Sequence, residues 1–512
     1  MKRMKRIFVL LLTCVMVCFA ATALAEGPQV HISFTATYYQ SAQAQKDALY
    51  DYFCDKFNVD IDMIGVSPDS LNETNNIMIP AGTMYDWMLW DFNYTTYASY
   101  VDQALLKPLP KGWEEKYPNL YGAMKASGIL EKLYINGEAY AIPKTIYYNF
   151  AKGDTALWHM MLYYRADWLE ALGFEPWGDT VTVSEAMDFF KAAVEKDMAG
   201  NGSTIGLCGS TGHLTSLLMQ MYNGYYDTFT SVDGQYVWGP TLDKTVDGIA
   251  YIKSLYSQKL LDPDFYLATR DAAQNLFCSG MAAGVFTNGT VSNYTSILKN
   301  SQAAGIADTE KNIKSVVVTD DQGLWRGAET SNYWLASIFS PSLDDATFER
   351  ILSLIDYLFT EEAELIINMG FEGVDWEKNG NDGYSNLLDS SFANVREKYP
   401  SCWFWRFMAL CPDEFSLVNP AENQAVQQAV NAAYATRAES AAKNGYLMLD
   451  YNVSFLGTQA KADYSVNILD EVVRIVVDEK ITEDNIAQEW NKFIENYSQI
   501  WQPVVDDLNA AK

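Results

Sequence analysis

Histidine is scarce in this 512-residue chain: His31, His159 and His213 are the only three, and they stand far apart. None belongs to a His-Glu-x-x-His pair, and no Gly-x-Ser-x-Gly run occurs, so zinc-hydrolase and serine-hydrolase chemistry have no motif to rest on. A phosphate-cradling Gly-x-x-x-x-Gly-Lys-Ser/Thr run is missing too, so nothing marks the chain as an ATPase. Beyond residue 21 no stretch offers eighteen consecutive apolar residues, which leaves no transmembrane helix after the N-terminus. Positive charge is outnumbered, 36 Lys and Arg against 65 Asp and Glu. The resulting negative field repels nucleic acid and other polyanions and leaves an uncharged ligand unaffected.

The N-terminus is the basic exception. Lys2, Arg3, Lys5 and Arg6 precede an apolar run from Ile7 to Ala21, and Ala23-Leu24-Ala25 fits an A-x-A cleavage site. Residues 1–25 therefore read as a signal peptide, with the mature chain starting at Glu26 outside the cytoplasm. Its removal takes the net charge from −29 to −33. Cys54, Cys208, Cys278, Cys402 and Cys411 remain, an odd number with no Cys-x-x-Cys. Cys402 and Cys411 are near enough in sequence either to bridge a loop or to be two buried thiols.

The length implies two domains. From Val30 to Trp90 the pattern predicts strand Val30–Thr35, helix Ala42–Phe57, strand Val59–Val66, helix Leu71–Ile79 and strand Tyr85–Trp90. This alternation argues for parallel strands with helices on the faces and ligand at the strands' carboxyl ends. Tyr38, Tyr39, Trp90 and Asp91 stand there. Tyr134 to Tyr140 reads as two short strands about Asn136-Gly137. The stretch from Leu162 to Leu207 is the most informative. A short strand (Leu162–Tyr164) leads into a turn of helix that Gly173 ends, and Thr182 with Glu185 has capping-box spacing. Val183, Ala186, Met187, Phe190 and Val194 then form one apolar helical stripe. The reading predicts a further helix from Ala346 to Phe359, and one capped by Thr482 that aligns Ile486, Trp490, Phe493, Tyr497 and Trp501.

Taken alone, Leu162–Leu207 also suits an ordinary strand-helix-turn of an α/β enzyme. Its run Tyr163-Tyr164-Arg165-x-Asp167-Trp168-Leu169, the Thr182-x-x-Glu185 start, Gly200-Asn201-Gly202 and Ile205-Gly206-Leu207 resemble family 1 extracellular solute-binding proteins, in their long Gram-positive branch. Tyr140-Ala141-Ile142-Pro143, Phe277-Cys278-Ser279-Gly280-Met281-Ala282-Ala283, and Glu361 to Gly370 followed by Glu372-Gly373-Val374-Asp375-Trp376 match in the same order. The resemblance implies an α/β, two-lobed, maltose-binding-protein-like fold with a hinge, lobe I from 26–143 plus 317–372 and lobe II from 144–316 plus 373–512. It implies a monomeric receptor that captures an oligosaccharide or glycoside in an interlobe cleft and delivers it to ABC permease transmembrane subunits, with no catalysis and no cofactor. A secreted glycan-active hydrolase and a peptide receptor of the same fold are the alternatives. Many relatives are lipoproteins, but Thr13 and Val17 precede Cys14 and Cys18 where a small residue belongs, so the resemblance fails there and an unlipidated protein is expected.

Asp197 to Gly202 begins like a calcium loop, but position 3 is Ala199 and position 12 is Cys208, which favours a plain turn and assigns no metal. Two carboxylates about 5 to 10 Å apart would suit a glycosidase, and the sequence singles out no such pair. The informative excess is aromatic, 14 Trp and 33 Tyr. Sugar rings stack their C–H faces on aromatic rings while their hydroxyls pair with Asp, Asn, Glu and Arg. Trp87-x-x-Trp90-Asp91, Trp325-Arg326, Asn332-Tyr333-Trp334 and Trp403-x-Trp405-Arg406 carry that mixture. The candidate ligand-binding residues are therefore Tyr38, Tyr39, Trp90, Asp91, Asn288, Trp325, Arg326, Asn332, Trp334 and Trp376. At Asn288 the chain departs from the family, which often has Trp just after the Met-Ala-Ala-x-x-Phe strand where this chain has Thr287-Asn288-Gly289, so the resemblance implies no particular sugar.

Overall fold

The computed structural model describes residues 27–37, 46–66, 68–145, 157–222, 224–225, 227–331, 333–380, 383–392, 394–408, 419–444 and 450–511. The expected signal peptide, Tyr38, Tyr39, Asn332 and Cys411 lie outside the described residues, as does the side chain of Trp334. The described residues fall into two compact units, one from 1–92, 100–146 and 333–412, the other from 93–99, 147–332 and 413–512. Their main sheets are built from β1 (Val30–Thr37), β2 (Val59–Val66), β3 (Trp87–Trp90), β4 (Ala141–Thr145), β5 (Met160–Arg165), β6 (Thr180–Thr182), β7 (Ile205–Gly209), β8 (Ala282–Asn288), β9 (Ile313–Thr319) and β10 (Tyr333–Phe339).

In the first unit the sheet order is β2-β1-β3-β10-β4. β1 is parallel to β2 and β3, with helices Ala48–Phe57 and Pro68–Met78 as the crossovers that parallel neighbours require. Helix Ala48–Phe57 starts where Asp47 accepts the Leu49 and Tyr50 N–H groups and stops at Asn58, whose φ of 49° is left-handed. β10 is antiparallel to β3 and β4 and carries a register shift between Tyr333 and Ala336, with Leu335 at φ 63°. Such a bulge kinks one strand against its straight partner.

In the second unit the order is β6-β9-β5-β8-β7. β9 is parallel to β6 and β8 to β7, while β5 runs antiparallel between β8 and β9. The register pairs Asn288 with Met160 and Thr319 with Thr182. The carboxyl ends of β6, β7, β8 and β9 therefore meet the amino end of β5 at one end of the sheet. Along β5, Met160, Leu162 and Tyr164 enter one apolar core and Met161 and Tyr163 the other, as the two-residue period of a sheet covered on both faces requires. Helix Val183–Glu195 covers the first of these faces, and its capping box is formed: Thr182 Oγ1 accepts the Glu185 N–H and Glu185 Oε2 accepts the Thr182 N–H.

Three expectations need correction. Residues 320–332 pack with the second unit, because Val317, Val318 and Thr319 stay paired with β6 and Trp325 joins the core beside Val426 and Val430. Residues 373–408 pack with the first: Ser401 bonds Asp47, Phe404 meets Phe34 at 5.1 Å, and Trp405 meets Phe53 at 4.6 Å. The C-terminal helix capped by Thr482 is in fact two, Ile486–Asn496 and Ser498–Ala510, and the first starts after Asn485. Ile486, Trp490 and Phe493 share the expected stripe. Trp501 belongs to the second helix and stacks on Trp238 at 5.4 Å.

Candidate functional site

Trp90 ends β3 and Asp91 follows it, but the two side chains differ in environment. Trp90 is 2 % exposed, its ring 5.4 Å from Phe92 and 5.8 Å from Tyr100. Asp91 is exposed and accepts a hydrogen bond from Asn72 Nδ2 at 3.3 Å. Trp376 is buried in the same unit, its indole N–H donated to Gly370 O at 2.9 Å and its ring edge-on to Tyr384. Trp334 lies in β10, next to Tyr333, whose ring meets Phe92 at 6.1 Å.

The candidates of the second unit gather at the carboxyl end of its sheet, where they are largely engaged by the protein itself. Trp325 is buried, and a Cβ at Gly327 would stand 1.9 Å from its Cζ2, so the chain presses directly on the ring. Arg326 donates from Nε to Asp320 Oδ2 at 2.7 Å, while Asp320 Oδ1 accepts the Gln322 and Leu324 N–H groups. This closes the loop after β9. Asn288 Oδ1 lies 2.8 Å from His159 Nε2, and its carbonyl accepts from Tyr163 Oη and Asn293 Nδ2. His159 is held neutral: burial first, then the Arg437 charge, lowers its pKa to about 4.

Beside these residues is a pocket of about 300 Å³ lined by Trp158, His213, Tyr225, Asp227, Glu329 and Asp450, among others. Trp158 is fixed by its N–H to Ala328 O at 2.9 Å and by its ring on Phe286 at 5.5 Å, and it remains only partly buried. Helix Thr211–Gln220 follows β7 and brings His213, which burial keeps on the neutral side and whose Nδ1 is buried without a partner. Asp227 touches solvent, yet crowding by the surrounding protein pushes its carboxyl up, and no side-chain donor among the described residues reaches it. Asp450 accepts from Tyr236 Oη and the Asn452 N–H. The lining residues include three carboxylates and neither Lys nor Arg.

The Asp197 turn is satisfied internally: its carboxylate accepts the Gly202 N–H and the Thr204 hydroxyl, each at 2.8 Å. Among the described residues no helix is long and apolar enough to cross a membrane. Cys402 is a buried free thiol, as are Cys54, Cys208 and Cys278.

A family model described as bacterial extracellular solute-binding protein matches residues 39–364. The chain belongs to that family. Lipoprotein LipO of Bacillus subtilis is 23 % identical over 336 residues, 62 % of this chain and 62 % of that protein's length. The alginate-binding protein AlgQ2, solved without calcium ion, superposes with a TM-score of 0.67 at 13 % identity, over 96 % of this chain and 99 % of that one. FusA of S. pneumoniae, an ABC-transporter substrate-binding protein in complex with kestose, gives 0.66 at 16 %, over 94 % and 100 %. The fold is thus the two-lobed, maltose-binding-protein-like architecture.

For this solute-binding protein, sequence reading missed the pocket residues Trp158, Tyr225, Asp227, Glu329 and Asp450, and it noted His213 only as isolated. One signal was available. Asn223-Gly224-Tyr225-Tyr226-Asp227 interleaves aromatic and acidic residues as the chosen clusters do.

Proposed function

We propose that the protein captures an uncharged oligosaccharide outside the cytoplasm and hands it, unaltered, to the transmembrane subunits of an ABC importer. The observation that carries this reading is the pocket at the carboxyl end of the second unit's sheet. Trp158 and Tyr225 supply faces for sugar C–H groups, and Asp227, Glu329 and Asp450 supply acceptors for hydroxyls. A uronate would meet three carboxylates there with no cation among the lining residues, whereas a neutral glycan carries no charge for them to repel. Asp91, exposed at the end of β3, is proposed separately as an acceptor for sugar hydroxyls. The sugars named for AlgQ2 and FusA support a carbohydrate ligand, and family membership supports the receptor role.

Signal-peptidase cleavage after Ala25 without lipidation completes the proposal. N-terminal sequencing of the exported protein checks it, a start at acylated Cys14 or Cys18 being the contrary result. The ligand is identified by a thermal-shift panel of neutral oligosaccharides and uronates. A ligand at 100 times its Kd adds about 2.7 kcal/mol of stability. A shift confined to uronates would overturn the uncharged assignment. Chromatography of the bound sugar after long incubation distinguishes capture from hydrolysis, since shorter products that vanish on substituting one carboxylate would make the protein a glycan hydrolase.

A further inference from the structure

Helix Thr211–Gln220 turns one face to the pocket: His213, Ser216 and Gln220, spaced three and four residues apart, all line it. Two of the three hold a buried polar atom that lacks a partner. His213 Nδ1 and Gln220 Oε1 are shut off from solvent and meet no hydrogen-bonding group among the described residues, although each side chain as a whole is only partly buried.

The enclosed atom decides what the open end of each side chain offers. His213 is held neutral by burial, so one ring nitrogen carries the proton and the other a lone pair. An orphaned buried N–H is rarer than an under-satisfied acceptor, which puts the lone pair on enclosed Nδ1 and the proton on Nε2. Gln220 is arranged alike: with Oε1 inside, its Nε2 amide group is the open end. The helix therefore brings N–H donors to a pocket whose carboxylates, Asp227, Glu329 and Asp450, only accept. Asp450 already accepts from Tyr236 Oη and the Asn452 N–H, whereas no side-chain donor among the described residues reaches Asp227. Met219, Phe229 and Val453 add apolar lining.

An acetamido group is the neutral sugar substituent that uses all three kinds of surface. Its carbonyl only accepts, its N–H donates in the opposite direction, and its methyl is apolar. A hydroxyl offers one oxygen for both polar roles and no methyl for the apolar lining. At about 300 Å³ the pocket is at the small end of ligand sites, roughly 300 to 1,000 Å³, so it seats one such unit of a longer glycan.

We propose that the pocket selects glycans carrying an N-acetylhexosamine. His213 Nε2–H and Gln220 Nε2–H donate to the acetamido carbonyl, Asp227 accepts the acetamido N–H, and Met219, Phe229 and Val453 take the methyl. His213 and Gln220 are then the residues that set specificity. The assignment rests on this pocket being the sugar site.

Calorimetric titration of the full chain with two matched pairs tests it: N,N′-diacetylchitobiose against cellobiose, and N-acetyllactosamine against lactose, the members of each pair differing only by acetamido for hydroxyl. In at least one pair the acetylated sugar is expected to bind about tenfold more tightly or better, the worth of one or two hydrogen bonds. Gln220→Met, which keeps the length and removes the amide, and His213→Phe should each cut that preference severalfold, while His213→Gln, which retains an N–H at the end of the side chain, should keep most of it. Each of Gln220→Met and His213→Phe removes a polar atom that is buried without a partner, so Tm should not fall, as it would if the two side chains served the fold alone.

Trp158→Ala separates this assignment from the reading beneath it. If that variant loses affinity for the sugar found in the thermal-shift panel while neither pair shows an acetamido preference, the pocket is the sugar site and the acetamido assignment is overturned. If Trp158→Ala binds that sugar as tightly as the parent, the pocket is not the sugar site and the assignment falls with it. An acetamido preference that survives both Gln220→Met and His213→Phe, or no binding of either acetylated sugar, also overturns it.

Discussion

His159 Nε2 lies 2.8 Å from Asn288 Oδ1, which ties the residue before β5 to the last residue of β8. The bond sits at the sheet end where the candidate site is built, and its histidine is partly buried. With the folded pKa lowered to about 4, the native state refuses a proton that the unfolded chain, near 6.5, accepts. The sign follows: stability is undiminished above about pH 6.5 and falls as pH drops from there to about 4, by about 3 kcal/mol in all. His159→Gln, which can keep a donor toward Asn288, should flatten that part of the stability-against-pH profile measured by urea denaturation. An unchanged slope would show that other groups, His213 among them, dominate it.

Trp158→Ala and Asp227→Asn are expected to weaken binding of the identified sugar by about 1 to 3 kcal/mol each. Asp227 touches solvent and has no side-chain donor, so its variant should melt within a few degrees of the parent. Calorimetric affinity and Tm, measured together, check both statements; full affinity in both variants would move the site elsewhere.

Trp90 and Asp91 should part company. Trp90 is packed against Phe92 and Tyr100, so Trp90→Ala is expected to cost about 3 to 5 kcal/mol of stability. Exposed Asp91→Ala should leave the urea midpoint nearly unchanged and weaken sugar binding by about 1 to 3 kcal/mol, and parental affinity would remove Asp91 from the ligand contacts.

Gly327 is held to glycine by Trp325. Gly327→Ala forces the indole or the loop to move and should destabilise the protein by about 1 to 3 kcal/mol, with an altered tryptophan emission spectrum. A variant of parental stability and spectrum would mean that the loop yields without resistance.

Thr182→Ala removes one half of a formed capping box and is expected to lower stability by about 1 kcal/mol. Thr182→Ser, which keeps the acceptor, should restore most of it in the same denaturation experiment.

The parts legible in the sequence were those decided by residues close together along the chain. The capping box needs three residues of separation, the stripe through Val183, Ala186, Met187 and Phe190 needs two turns of helix, and the strand Val59–Val66 begins with Val59, Ile61 and Met63 alternating with Asp60 and Asp62. The family resemblance was legible for a related reason, as an ordered series of such local runs. Strand-helix alternation from Val30 to Trp90 made the parallel pairing of β1 with β2 and β3 legible.

What the rings and carboxylates are free to do was decided only by tertiary structure, because a side chain's availability depends on atoms hundreds of residues away. Trp325 reads as a sugar platform until the helix Gln424–Asn444 and Gly327 close over it. Segment 373–408 reads as part of the second lobe until Ser401 bonds Asp47 across more than 350 residues. The pocket of Trp158, His213, Asp227, Glu329 and Asp450 joins five separate stretches of chain. No spacing pattern links those stretches, and the pocket exists because the antiparallel β5 brings its amino end level with the carboxyl ends of its neighbours.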